Sequence, residues 1–388
     1  MPPSVVVLGA GYAGAGAVPV LEDALDGAEL TWVSATDYHL VLHEVHRVVR
    51  DPAVEERITV PVDAIKSPST AFVEGEVVGV DTGERAVELA DGRAVDYDYL
   101  LVALGSATAD YGIPGMDEHA HTLKSLDDAL GIHDAVADAA RDATPDDPAR
   151  AVVGGAGLSG IQTAGEIAAY RDDHGAPIEV CLVEALEEIF PPGTPALQRR
   201  LRRHLEAAGV EILVDDPITE VEAGRIHFDE RDPLANDVFV WTGGITGREA
   251  LAGAGVDDQH NRLETDATFR TSDERVFAVG DAAVVDLDGG TAPPTAQAAW
   301  DAAEVAAENV ARAVRGEPPR RWEYKDLGTL ISVGETAIAH DITLPVVGTL
   351  PVETFDGAPA KLLKKASAAR WIASVSSLGR AASAWPVL

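Results

Sequence analysis

Two short stretches place glycines at the same spacing: Gly9, Gly11 and Gly14 in GAGYAG, and Gly155, Gly157 and Gly160 in GAGLSG. Tyr12 and Ala13 fill the gap in the first, Leu158 and Ser159 in the second. Glycines so spaced let the backbone turn tightly, approach an anion closely and pack a helix against a strand. The helix that follows supplies free N–H groups and a favourable field for a pyrophosphate. Each stretch follows a β-branched run (SVVVL, then RAVV) and opens an amphipathic segment, the context that makes the motif a dinucleotide loop.

The residues after each loop refine the ligand. Glu184 ends the strand IEVCLVE, 24 positions beyond Gly160. A carboxylate there accepts hydrogen bonds from a ribose 2′-OH and repels a 2′-phosphate. With no arginine close behind it, the second loop favours NADH over NADPH. In the first copy the equivalent strand end is Ser34, and Asp37 is the first carboxylate within reach of a ribose.

Strands and helices alternate along the chain, and the pattern restarts at residue 151 after the loop TPDDPAR. An α/β fold with two Rossmann-like dinucleotide-binding domains follows. Two such loops, with LLVALGSAT ahead of IPG and a late TSDERVFAVGDAA, resemble the glutathione-reductase-like flavoproteins, which bind FAD in the first domain and NAD(P)H in the second, inserted one. The resemblance implies an FAD-binding domain in two parts, 1–112 and 244–323, an NADH-binding domain at 113–243, and C-terminal strands with a tail at 324–388. It places Gly280 and Asp281 on the FAD ribityl chain and pyrophosphate, and Ala103 and Gly105 at the crossover near the flavin.

Within that superfamily, GLSGIQTAGEIA, WTGGI (with Gly243), PPTAQAAWDAAEVAAEN and YKDLGTLISVGETAIA resemble segments of the type II NADH dehydrogenases, single-chain NADH:quinone oxidoreductases. The resemblance implies oxidation of NADH through FAD, with a quinone, menaquinone by preference, or another electron acceptor taking the electrons, and no proton pumping. Carried over by position, Glu166 sits beside the flavin and nicotinamide, and Ala296 and Gln297 line the acceptor side. A second glutamate of the family's segment is Gln162 here. Two other functions stay open at this point: a soluble NAD(P)H:ferredoxin or rubredoxin-type reductase, and a flavoprotein that senses NADH without turnover.

A single cysteine, Cys181, inside an apolar strand, excludes a redox disulfide and sulfur-carrying chemistry. His39, His43 and His46 recur at helical spacing in YHLVLHEVHRVVRD, but HExH lacks the zinc-protease spacing, so no metal is expected. The expectation is that His43, Glu44, His46 and Arg47 line the flavin edge and deliver protons to the acceptor.

From Gly357 to Leu388 there is no acid, and Lys361, Lys364, Lys365, Arg370 and Arg380 make the tail basic. Trp371, Val375 and Leu378 are spaced as one helical stripe. A basic helix with tryptophan on its apolar face suits an anionic membrane surface. A peripheral protein on the cytoplasmic face of the cell membrane is expected, with a homodimer left open.

The 388 residues carry 65 acids against 30 bases, a formal net charge of −35, and only six of the bases are lysine. So acidic a surface argues against nucleic-acid binding, which needs a basic footprint. It matches a protein adapted to high salt, where counterions screen carboxylate repulsion. The melting temperature should therefore fall when molar KCl is replaced by millimolar KCl; an unchanged melting curve would contradict this.

Overall fold

The computed structural model describes residues 2–344 and 348–388. Its first layer is a parallel sheet in the order Val276–Ala278, Tyr99–Val102, Ser4–Leu8, Glu29–Ser34, Ala71–Glu74. Its second is a parallel sheet in the order Val210–Leu213, Ile178–Val183, Ala149–Gly154, Val238–Trp241. The strands are almost continuous apolar runs because both faces are covered; Val5 to Leu8 have no exposed surface. The chain crosses from one unit to the other and returns through an antiparallel pair, Ala107–Thr108 with Ile245–Thr246.

Small residues bring the covering helices close to the first sheet. Tyr12–Ala24 and Ala296–Val314 meet where Gly16 faces Ala303, and a Cβ on Gly16 would lie 2.9 Å from the Ala303 methyl. Ala298, Ala299, Ala302, Ala303, Ala306 and Ala307 form the buried stripe of the second helix.

The histidine stretch is not one helix. Tyr38–Leu40 is a strand, Leu42–Glu44 a single 3₁₀ turn, and the α-helix begins only at His46. His39 thus points to the core, with no exposed surface, while His43 and His46 leave in different directions. The pairing of 38–40 with 59–61 outweighs the helical spacing of the histidines.

The tail also departs from its expected role. Its helix, Ala358–Val375, buries Ala360, Lys364, Ala368, Trp371, Ile372 and Val375 against the protein. The stripe therefore faces inward, and Leu378 starts a separate short helix in which it is 81% exposed. All five tail bases meet groups of this chain. Lys361 pairs with Glu335 (2.5 Å), Lys365 donates to the Trp385 and Pro386 carbonyls, Arg380 donates to the Thr59 carbonyl, and Arg370 covers the Trp300 ring. The fifth, Lys364, is buried and lies 2.5 Å from the buried Glu44 carboxylate, which Arg47 also holds at 2.5 Å. These two cations keep the Glu44 carboxyl well below the usual carboxylate range despite its burial.

Removing one partner of a buried ion pair leaves the other charge without compensation. Lys364→Met should cost about 3 kcal/mol in urea unfolding at fixed high salt. Removing both charges with Glu44→Gln and Lys364→Met should recover part of that loss, and equal costs for the single and double variants would show that the pair is not coupled.

Candidate functional site

The two glycine loops are built alike. Gly9 and Gly155 have φ of +98° and +88°, and a Cβ on either would lie within 2.7 Å of backbone, Ala103 O and Gly243 Cα respectively. A Cβ on Gly14 would fall 1.9 Å from Gly9 O, and one on Gly160 1.8 Å from Gly155 O. The third glycines thus seat each helix on its strand. The Trp32 indole N–H donates to Gly9 O (2.9 Å), and the Thr242 hydroxyl donates to Gly155 O (2.9 Å), so each loop is fixed from the neighbouring strand.

The middle glycines differ: nothing lies within 4 Å of where a Cβ on Gly11 or Gly157 would be. Both face open space at a helix start. Neither helix has a side chain capping its first-turn N–H groups or an acid in its first turn. Unsatisfied N–H groups beside an open cradle fit a pyrophosphate at each loop.

Both cradles open into one cavity of about 2100 Å³ at the C-terminal ends of the two sheets, the position where such sheets bind ligands. Of the residues expected to bind or react, Gly9, Gly11, Tyr12, Ala13, Ser34, His43, Ala103, Gly105, Gly280, Asp281, Ala296 and Gln297 border it from the first unit. Gly155, Gly157, Leu158, Ser159, Glu184 and Gly243 border it from the second. Glu184 is tied to the second loop, accepting from the Ala156 and Leu186 N–H groups (2.8 and 3.1 Å). Gln297 donates to the Lys325 carbonyl (2.8 Å), which fixes its amide at the wall.

Six expected residues are not on the wall. Gly14 and Gly160 lie under their loops as spacers. Asp37 is outside the cavity; on that flank Glu76, just beyond the strand Ala71–Glu74, reaches it instead. Glu166 is 1% exposed and sits beneath the wall, one turn along the helix from Gln162, which does border the cavity. Glu44 and Arg47 are likewise behind the wall rather than along it, while His46 borders it.

The sequence also misses several wall residues. Lys124 donates to Ser106 Oγ (3.1 Å), which donates to Asp281 (3.1 Å), so a lysine from the 113–243 segment is linked to the acid expected to hold the flavin chain. Arg248 borders the cavity as well. At the end walled by the tail helix, Trp300 and Trp371 meet edge to face with centroids 4.8 Å apart, and Tyr12 stacks against Trp371 at 4.9 Å. The tyrosine hydroxyl hydrogen-bonds His43 Nδ1. The only local signals were a tryptophan and a lysine on one face of the tail helix.

Cys181 is 1% exposed in the second sheet, and burial pushes its thiol up to about 12. It has neither a partner cysteine nor access to the cavity, so it cannot carry sulfur or form a redox disulfide.

Residues 3–303 match the pyridine nucleotide-disulphide oxidoreductase family. The type II NADH:quinone oxidoreductase of Staphylococcus saprophyticus is 30% identical over 401 residues, covering 97% of each chain. Among solved structures, NDH2 from Plasmodium falciparum in complex with NADH superposes with a TM-score of 0.81 at 15% identity, over 100% of this chain and 98% of that one. The sulfide:quinone oxidoreductase of Aquifex aeolicus gives 0.78 at 18%, over 96% and 91%; at these identities the likeness is one of fold. By family match and by full-length similarity, this chain belongs to the pyridine nucleotide-disulphide oxidoreductase family, on its type II NADH:quinone oxidoreductase branch.

Proposed function

We propose that the protein oxidises NADH and passes two electrons, through FAD held in the first unit, to a quinone. One observation carries this: a single cavity joins two pyrophosphate cradles and ends at an aromatic and basic wall built by the C-terminal helix. FAD held at the first glycine loop, with Asp281 and Ser106 along its chain, would supply the hydride-accepting and electron-donating chemistry. The chain's own residues bind, orient and enclose.

The N–H groups opening Tyr12–Ala24 hold the resident cofactor, with Asp281 and Ser106 along its chain and Lys124 and Arg248 adding positive charge. The N–H groups opening Leu158–His174 hold the passing nucleotide. Glu184, already oriented by two backbone N–H groups, takes the adenosine ribose and disfavours a 2′-phosphate. Ala296 and Gln297 present a small, amide-bearing surface to the acceptor, and Tyr12, Trp300 and Trp371 offer aromatic faces to a planar ring.

Among the described residues no helix is long and apolar enough to cross a membrane. A lipid-borne quinone, menaquinone by preference, therefore has to be met at a surface. Leu362, Leu378 and Trp385, all in the tail, are 57%, 81% and 38% exposed. They support a peripheral contact through the tail on the cytoplasmic face, made by these side chains rather than by the buried Trp371 and Val375.

The test is an anaerobic titration in high salt. NADH should bleach the flavin absorbance, and a menaquinone analogue should restore it with repeated turnover. Restoration by ferredoxin but not by quinone, or a stable charge-transfer band without turnover, would contradict the proposal.

A further inference from the structure

Quinone reduction by NADH consumes a proton from solution. The hydride brings two electrons and one proton, while the quinol needs two protons, so NADH, quinone and H⁺ yield NAD⁺ and quinol. On the proposed function, some group at the cavity must supply the second proton. Gln162, the helix residue that faces the cavity, is an amide with no acidic proton to give. Glu44 cannot serve either: Lys364 and Arg47 fix it as a carboxylate.

Glu166 is a different kind of acid. Its Oε1 is buried without a hydrogen-bond partner, although a buried unsatisfied oxygen costs about 1–3 kcal/mol. The nearest ionisable nitrogen is His46 Nε2, 4.0 Å away. That nitrogen also lies 2.9 Å from Ser332 Oγ and 3.2 Å from the Gln162 amide. Ser332 Oγ in turn accepts from Gln162 (3.0 Å). His46 borders the cavity and Glu166 does not. His46 thus touches the cavity on one side and lies near the buried Glu166 carboxyl group on the other.

We propose that Glu166 stores the solution-derived proton and His46 carries it to the quinone. Once a side-chain shift or one bridging water closes the 4.0 Å gap, the carboxylic O–H bond of Glu166 breaks as an N–H bond forms at His46. The imidazolium then gives up a proton as the quinone oxygen is reduced, and Glu166 is reprotonated from solvent. Glu166 itself is a positioning and storage residue acting through His46, which is the one that reaches the cavity.

The surroundings suit these roles. Burial, reinforced by Glu44, raises the Glu166 carboxyl to about 7, against Arg47 and Arg50 of the His46–Arg50 helix and Lys364 of the tail helix, which pull it down. The group is therefore substantially protonated at neutral pH. Burial, with Lys364 and Arg47, holds His46 well below its ordinary value, so it does not keep a proton it receives. A storage acid near neutrality feeding a weakly basic carrier gives transfer toward the cavity.

This inference rests on the proposed function, and two acceptors separate the failures. Ferricyanide takes single electrons and no proton. In the Glu166→Gln holoenzyme the quinone-to-ferricyanide rate ratio should fall about tenfold or more, the loss of a positioned proton donor. The wild-type quinone rate should decline as pH rises past about 7, where Glu166 loses its proton, and the variant should lack that inflection. Infrared difference spectra of the resting protein give a readout independent of turnover: a protonated-carboxyl band that disappears above neutral pH in wild type and is absent from the variant. His46→Gln should lower the same rate ratio while keeping the band. An unchanged ratio and pH profile in both variants, or a band that persists in Glu166→Gln, would overturn the relay. A wild-type protein that reduces ferricyanide but no quinone would overturn the functional proposal and the relay with it.

Discussion

The carboxylate of Glu44 has no exposed surface and touches two cations from different parts of the chain. Arg47 is three residues away; Lys364 is 320 residues away and belongs to the tail helix. A buried anion and a buried cation, with the partly buried Arg47 beside them, compensate one another. The tail helix is thereby pinned with Trp371 beside Tyr12, and the Trp371 indole N–H donates to His39 Nε2 (2.8 Å). His39 then has its proton on Nδ1, which donates to the carbonyl of Ala10 inside the first glycine loop (2.7 Å). A continuous polar chain therefore runs from the C-terminal helix to the first glycine loop. Burial lowers His39 to about 4, so it stays neutral near pH 7 and keeps this tautomer.

The duplicated loop acquires different meanings from its surroundings. In both copies a positive-φ glycine meets a neighbouring strand's backbone, and a third glycine seats the helix. In the first, the wall beyond the loop is completed by the tail and by Ala296–Val314. In the second, the strand end carries Glu184 and the helix continues to Gln162 and Glu166, which under the proposed function sets the nucleotide near the proposed proton relay. Under the proposed function the first loop serves retention and the second serves exchange.

What was legible in the sequence is what is local. The glycine loops, their strand–helix context, Glu184 and the buried strand around Cys181 depend on residues close in the chain. What was misplaced depends on distant partners. Lys364 falls on the same helical face as Trp371, which weakens any membrane-facing stripe; Glu44 explains it, and that contact is not encoded nearby. Helical spacing could not reveal that the histidine stretch is broken by pairing with residues 59–61. Position along the motif suggested that Glu166 faces the cavity, but it lies one turn farther from the glycine loop on the same helix face, so Gln162 meets the cavity and Glu166 is buried behind it. Glu76 reaches the first nucleotide's flank because Ala71–Glu74 pairs beside Glu29–Ser34, a neighbourhood set by sheet order.

The central claim is that two nucleotides lie in series in one cavity. A crystal structure of the protein grown with FAD and NAD⁺ tests it most directly. The account predicts the flavin pyrophosphate on the N–H groups that open Tyr12–Ala24 and the nicotinamide nucleotide's pyrophosphate on those that open Leu158–His174, with Glu184 on its adenosine ribose. Either pyrophosphate bound away from its loop, or a nicotinamide nucleotide at the first loop, would contradict it.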